Sequence, residues 1–397
     1  MHTGRYEFLS QGSVHFGQPA AAAARELLGE HGAERILIVS TPSLSQRANV
    51  VKEISESLES ACIGVFDDVV AHAPLPNILK LAGQIRVLKP DLVLTVGGGS
   101  VIDTTKVALL AVAANASTSE DVLKLKIEVA PDGSVIRPQL PALSVRQAAV
   151  PTTLSGAEFG TIGGAVDPER GVKDIYAHPD LCATSVIYDP ELAKLTPNEL
   201  WTSTGMRAVD HAVETILSKT AQPFTDGSAL HALRLFQSSL RAGSQSDMDT
   251  DTLQSCQFGV WLATVGLGRV PYGASHGIGH QLGAVAGVPH GLCSCVLLPA
   301  VLRYNAAVAG ERDQWISDAM GASGSSSADA VLALVRRLGL TDNLQAVGVE
   351  KSQFDVIAEA SLTNLFVRNN LRPLTHKDQI IEILESAWAS IDGPSGS

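Results

Sequence analysis

Short runs of aliphatic and β-branched residues alternate with helix-period segments through the first half of the chain. Ile36-Leu37-Ile38-Val39-Ser40 has the pattern of a buried strand, Val50–Leu58 of a helix, Ile63-Gly64-Val65-Phe66 of a second strand, and 77–88 of a second helix. Asp91-Leu92-Val93-Leu94-Thr95-Val96 is a third strand, followed by a glycine turn and a helix from Ser100. This alternation predicts a parallel sheet covered by helices on both faces, and such sheets bind ligands at the carboxyl ends of their strands. From 115 to 147 the pattern weakens into polar sequence with Ala-Pro-Asp-Gly at 130–133, which predicts a surface excursion. After Asp189-Pro190 the strand pattern stops, and helical patterns at 206–218, 228–242 and 328–338 continue to about Asp392, ahead of a frayed tail at 393–397. The expected organisation is an α/β domain with a parallel sheet over 1–185 and an all-α domain over 186–397.

Composition narrows the classes of function. The 397 residues carry Lys+Arg 29 against Asp+Glu 41, a net charge of -12, and are 45% hydrophobic. That is too apolar for a disordered chain and long enough for two cores. An acidic surface without a basic block argues against nucleic acid and anionic membrane as partners and leaves small molecules. Five scattered cysteines (Cys62, Cys182, Cys256, Cys293, Cys295) offer neither a disulfide framework nor a C-x-x-C knuckle, as expected of a reducing cytoplasm. Met1 to Glu7 lacks the apolar stretch of a secretory signal. The span 270–302 has no charged side chain at all, which invites a membrane reading. His276, His280 and His290, prolines at 271, 289 and 299 and repeated glycines argue instead that no membrane-length apolar helix forms there, and that the span lines a buried cavity.

Three motifs carry chemistry. In Val96-Gly97-Gly98-Gly99-Ser100-Val101-Ile102-Asp103 a strand enters three glycines and then a helix. Residues without Cβ let backbone N–H groups approach a ligand, and the helix N-terminus favours phosphate, so a pyrophosphate site is expected. Val150-Pro151-Thr152-Thr153-Leu154-Ser155-Gly156-Ala157-Glu158 supplies hydroxyls after another strand end, suited to a phosphate or ribose or to an ordinary helix cap. The third motif is a set of imidazoles: Arg207 and His211 share a helix face at i, i+4, as do His276 and His280, and His290 follows the Gly287-Val288-Pro289 break. Converging imidazoles suit a divalent metal or a general acid in a dry pocket.

At these residues the chain resembles the iron-containing (group III) alcohol dehydrogenase family, and within it the maleylacetate reductase branch. The resemblance covers the glycine turn at 97–103, Thr152, Thr153, Gly156 and Glu158, Asp189-Pro190-Glu191-Leu192, the 205–214 segment and His276 to Gly291. Ser40-Thr41-Pro42, Ala71-His72-Ala73-Pro74 and Val186-Ile187-Tyr188 carry the branch. The resemblance implies a dehydroquinate synthase-like architecture: an α/β dinucleotide-binding domain, an all-α domain, and NAD or NADP with the substrate in the cleft between them. It gives Gly97, Gly98, Gly99, Ser100, Asp103, Thr152, Thr153 and Lys173 to the cofactor. Thr41 stands where members that prefer NAD often carry Asp, so NADP is not repelled. It also implies a homodimer.

One departure changes the expected chemistry. Metal-dependent members carry an Asp and three His at the positions of Arg207, His211, His276 and His290, and a guanidinium neither ligates nor tolerates a divalent cation nearby. The expectation is therefore a metal-free reductase in which Arg207 anchors a small-molecule carboxylate substrate, or alternatively pairs with Asp210 or Glu214, while one of His211, His276, His280 or His290 handles the proton. The competing readings are a metal-dependent alcohol or aldehyde oxidoreductase, an NAD-using lyase or cyclase, and a cofactor-binding protein without catalysis. Arg207→Asp should recover stoichiometric Fe(II) or Zn(II) binding if the remaining site is intact. Elemental analysis of the purified variant checks this, and finding no metal would refute it.

Overall fold

The computed structural model describes residues 6–129 and 134–389. The expected turn at 130–133, the first five residues of the N-terminal segment, the helical limit near Asp392 and the 393–397 tail lie outside the described residues.

Among the described residues there are ten strands: β1 (Ser13–Phe16), β2 (Ile36–Val39), β3 (Cys62–Phe66), β4 (Leu92–Gly97), β5 (Glu128–Val129), β6 (Val135–Ile136), β7 (Arg146–Pro151), β8 (Ile162–Asp167), β9 (Val172–Ala177) and β10 (Ser185–Tyr188). Six of them form one sheet in the order β1-β10-β7-β4-β2-β3, with every pairing parallel. Because both faces are covered, the central strands read as unbroken apolar runs. Leu37, Val39 and Val93 pack on one side with Ile78, Leu81, Ile85 and Val107, whereas Ile36, Ile38, Leu92 and Leu94 pack on the other with Leu27, Ile54 and Leu58. Successive side chains along each of these strands therefore enter two different helical layers.

Two features depart from the pattern. Residues 162–177 form an antiparallel hairpin, β8 with β9, rather than another strand–helix unit. Gly163 makes this possible, since a Cβ there would lie 3.2 Å from Lys106 Cβ on the adjoining helix. β10 belongs to the sheet and carries it to Tyr188, past the boundary expected at 185.

Among the described residues no strand follows β10, and the rest of the chain is helical. The Asn198–Ile216 helix runs through the middle, packed against Pro223–Ser239, Thr250–Ala263 and His290–Ala309. The last of these corrects an expectation. A long apolar helix does form across Pro299, and 72% of its most apolar stretch is buried inside the protein. Proline removes one helical hydrogen bond and costs about 3 kcal/mol in a helix interior. Leu297, Leu298, Val301 and Leu302, all buried on its flanks, outweigh that.

The two parts meet along 152–162. Lys106, fully buried on the Gly99–Ala113 helix, donates from Nζ to the carbonyls of Ala157, Gly160 and Ile162 at 2.6, 2.7 and 2.9 Å. Gly156 has φ 71° and sits so close to the Thr250–Ala263 helix end that a Cβ would be 2.5 Å from Thr264 Cγ2. Gly156→Ala should therefore lower the unfolding free energy by about 2–4 kcal/mol through backbone strain and overpacking, measurable as a reduced denaturation midpoint in guanidinium chloride.

Candidate active site

The residues expected to hold a cofactor gather at the carboxyl edge of the sheet. Gly97, Gly98 and Gly99 turn the end of β4 into the Gly99–Ala113 helix, whose first turn has no side-chain cap. Gly97 has φ 152°, and a Cβ on Gly98 would lie 2.8 Å from Thr153 Cγ2, so the turn closes only without side chains. An uncapped helix start beside a glycine turn and buried hydroxyls fits a phosphate group. Thr152 and Thr153 follow β7 and are buried. Thr41 follows β2, where its Oγ1 accepts from the Leu44 N–H at 3.4 Å. Ser100 Oγ accepts from the His72 N–H at 3.2 Å. Asp103 lies one turn further along the helix and its charge acts on buried Lys106. Lys173 stands on β9, and its charge reaches His280 and His290.

The second half of the site comes from three helices of the α domain: Asn198–Ile216 brings Arg207 and His211, Ala274–Ala286 brings His276 and His280, and His290–Ala309 begins with His290. His276 Nε2 and His211 Nδ1 are 2.9 Å apart, so one of them carries the proton between them. The His280 and His290 rings stack with centroids 5.4 Å apart. All four imidazoles are held below the usual histidine range, first by burial and next by the charge of Arg207, and His280 falls to about 3. They are neutral at physiological pH.

Several partners of this array carried no strong sequence signal. Asp210, with no solvent exposure, accepts at Oδ2 from Ser275 Oγ at 2.8 Å and Ser294 Oγ at 2.7 Å. Arg207 Nη1 is 3.6 Å from that same oxygen and donates to Ser294 Oγ at 3.3 Å. Of the two acids weighed as partners for Arg207, its ion pair is with Asp210. Glu214, one turn on, accepts from the Ser275 and Gly273 N–H groups at 2.9 and 3.0 Å, and its Oε2 is 2.7 Å from His276 Nδ1. Burial, and next the Asp210 charge, raise its pKa. Tyr272 and Phe366 wall the imidazoles, with Phe366 edge-on to His280 at 5.3 Å. The spacing of Asp210 and Glu214, three and seven residues after Arg207 on one helix, was the available signal.

The donor set does not fit a divalent catalytic metal. Asp210, Glu214 and His276 do bring ligand-type atoms within 4.8 Å of one another. Yet Asp210 and Glu214 already accept hydrogen bonds from serines and backbone, the His276 Nε2 face is turned onto His211, and the Arg207 guanidinium adjoins Asp210. A cation placed there meets a fixed positive charge in a poorly solvated site.

Two family models match the chain: iron-containing alcohol dehydrogenase over residues 12–190, and the C-terminal part of the Fe-containing alcohol dehydrogenase family over 201–388. The chain belongs to the iron-containing alcohol dehydrogenase family. It is therefore an oxidoreductase. Its relatives include dehydrogenase ALT3 of Alternaria alternata, 33% identical over 90% of this chain and 99% of that one. Lactaldehyde reductase of Escherichia coli (strain K12) is 29% identical over 94% of this chain and 97% of that one. Maleylacetate reductase from Rhizobium sp. strain MTP-10005 has a similar structure, with a TM-score of 0.80, 25% identity and coverage of 98% and 99%. The parallel-sheet domain and the helical domain are those of the family.

The depressed imidazoles have a consequence for stability. His280 binds a proton near its ordinary value once unfolded, but only at about 3 when folded. Between those values the unfolded state holds the extra proton, so this histidine's contribution is present above about pH 6.5 and is lost as pH falls toward 3. His280→Gln should flatten the acid limb of the stability curve by about 1.4 kcal/mol per pH unit within that window. Denaturant unfolding of both proteins at pH 7, 6 and 5 reads the difference, and parallel curves would contradict it.

Proposed function

We propose that this family member is an NAD(P)H-dependent reductase of an unsaturated or oxo carboxylic acid, of the maleylacetate reductase type, working without an essential metal. The observation that carries this reading is the state of Arg207. Only Nη1 is engaged, with Ser294 and Asp210, so Nε and Nη2 have no hydrogen-bond partner among the described residues and remain available as a fork for a carboxylate. The arginine stands where the resemblance has a metal-ligating acid. The glycine turn at 97–99 and the hydroxyls of Thr152 and Thr153 suit the dinucleotide phosphates, and Thr41 offers no carboxylate against a 2′-phosphate.

When bound, the nicotinamide cofactor supplies the hydride. Arg207 holds the substrate's carboxylate and orients the neighbouring C=O or conjugated C=C. The His276–His211 pair, backed by Glu214, holds the proton that completes the two-electron reduction. The Ser155 carbonyl, from the segment that lines the cofactor side, bonds the His211 ring and so directs that imidazole across the cleft. Tyr272, Phe366 and the uncharged helices exclude water, which strengthens the Arg207–carboxylate attraction. A homodimer in a reducing cytoplasm is the setting this reading carries with it.

The second reading, a metal-dependent alcohol or aldehyde oxidoreductase, draws on the convergence of Asp210, Glu214 and His276. Metal analysis of protein purified without chelators, together with NADH and NADPH oxidation on oxo-acids and aldehydes, separates the two. Acid reduction without bound metal is expected; stoichiometric iron or zinc with aldehyde activity would replace this reading by the second. Arg207→Met should lower kcat/KM for the acid by about 10²- to 10³-fold, the loss associated with one partner of a buried charge pair, with a far smaller effect on an uncharged aldehyde.

A further inference from the structure

The imidazole array has a closed side and an accessible one. His211 and His276 are buried, at 5% and 2% exposure, whereas His280, His290 and Arg207 are only partly buried. A ligand that reaches the array therefore meets His280, His290 and Arg207 first. One more partly buried side chain belongs to this surface. Phe366 stands edge-on to His280, with ring centroids 5.3 Å apart and planes at 75°, and its centroid is 6.3 Å from that of His276. The ring is not used for core packing. Its neighbour Val367 is buried in the apolar cluster formed by the last helices, whereas Phe366 is neither in that cluster nor among the partly buried apolar residues packed against it. An aromatic ring set against polar groups and left partly open is the usual wall of a small-molecule site.

The backbone under this ring is fixed from three directions. Asn364 Oδ1 accepts from the Phe366 N–H at 2.9 Å and caps the Leu365–Arg368 turn of helix. That turn packs on Ala274–Ala286 so closely that a Cβ on Gly277 would lie 2.5 Å from Val367 Cγ2 and 2.8 Å from the Val367 nitrogen. Asn370 closes the segment. Its Oδ1 accepts from the Ala274 N–H at 3.1 Å, and it exchanges side-chain hydrogen bonds with Asn305 at 2.8 and 3.2 Å. Phe366 is thus tied to the same helix that carries His276 and His280. A ring carried on backbone held in this way does not retreat before a bulky ligand as a free loop would, so its position sets a steric limit.

We propose that Phe366 determines substrate specificity: it closes the cleft beside His280 and restricts the chain attached to the reducible bond to a short one. This rests on the assignment of Arg207 as the carboxylate anchor. A substrate held at its carboxylate cannot slide away from the ring, so added length or branching is felt as steric conflict. A simple aldehyde has no such anchor and meets the same ring with more freedom of register, so its dependence on length is shallower. One methylene too many in a closed apolar space changes kcat/KM by about tenfold or more. Replacing the ring by a methyl group removes the obstruction while Asn364, Gly277 and Asn370 keep the backbone in place, so the space opens instead of collapsing.

Wild type and Phe366→Ala are compared on two homologous series of increasing length, straight-chain 2-oxo acids and straight-chain aldehydes, with NADH and with NADPH. In the wild type kcat/KM for the acids should fall by about tenfold for each methylene beyond the limit. In the variant the longest acids should gain about tenfold or more and the shortest should lose, chiefly through KM, so that the order inverts while both cofactor KM values stay unchanged. Phe366→Tyr keeps the ring and should keep the wild-type order. Saturated straight-chain carboxylates, which are not reduced, give a readout independent of turnover: with cofactor bound, long ones should raise the Tm of Phe366→Ala but not that of the wild type. A wild type indifferent to length, or a variant that loses equally at every length, overturns the proposal. So does a rise in cofactor KM, which would place the ring against the nicotinamide. Aldehydes that obey the limit, with no acid reduced and no carboxylate stabilising either protein, remove Arg207 as the anchor and leave Phe366 as the wall. Should Phe366→Ala fail to fold, Phe366→Leu makes a smaller opening and is read on the same two series.

Discussion

The helical half of the molecule depends on one buried carboxylate. Asp210 Oδ2 accepts from Ser275 and Ser294 and lies beside Arg207, so a single oxygen ties together the three helices that carry His211, His276, His280 and His290. A carboxylate without exposure is expensive to leave unpaired. Two serine hydroxyls and a guanidinium offset that cost, and in doing so fix how Asn198–Ile216, Ala274–Ala286 and His290–Ala309 approach one another. Glu214 repeats the device one turn later. It accepts from the Gly273 and Ser275 N–H groups at the start of the Ala274–Ala286 helix, two hydrogen bonds that oppose the upward pull of burial on its pKa. His276 is thereby set against His211 by two acids from the same helix, and the span without charges at 270–302 proves to be surrounded by charge supplied from elsewhere.

Much of this was legible before any coordinates. The β2, β4 and 97–103 patterns pointed to the sheet and its glycine turn because strands buried on both faces are written as continuous apolar runs and the turn needs residues without Cβ. The imidazole array was legible from spacing: i, i+4 pairs on amphipathic helices can point only one way. What stayed hidden were contacts that sequence order does not encode. Nothing local distinguishes Ser275 or Ser294 from ordinary helix serines, and their partner lies 65 to 84 residues away. The β8–β9 hairpin was masked by glycines that are there to admit Lys106 and Lys173. Proline at 299 misled for a related reason, since its cost is local whereas the packing that overrides it comes from neighbouring helices.

The replacement at Arg207 is coherent with its surroundings rather than an isolated change. A guanidinium in a dry site demands acceptors, and Asp210 and Ser294 supply them on one nitrogen while Nε and Nη2 have no hydrogen-bond partner among the described residues. The same charge helps hold four imidazoles neutral, which keeps them usable as proton donors and acceptors through hydrogen bonds rather than as fixed cations. In the proposed function, a neutral array beside a permanent cation is what favours an anionic ligand over a neutral one.

The division of labour between the two domains then follows from how they are joined. Lys106 reaches from the cofactor helix to three carbonyls of the 157–162 turn, and Gly156 seats that turn against the helical domain without room for a methyl group. The segment just before it carries Thr152, Thr153 and Ser155, so phosphate-side hydroxyls and the carbonyl that bonds His211 sit within four residues of one another. A joint this tight couples the geometry of the glycine turn to that of the imidazoles: displacement of one moves the other. Hydride transfer tolerates little error in the distance between donor and acceptor carbons. An interdomain joint held by a buried ammonium and closed around a glycine is how this chain keeps the two halves of the proposed site in register.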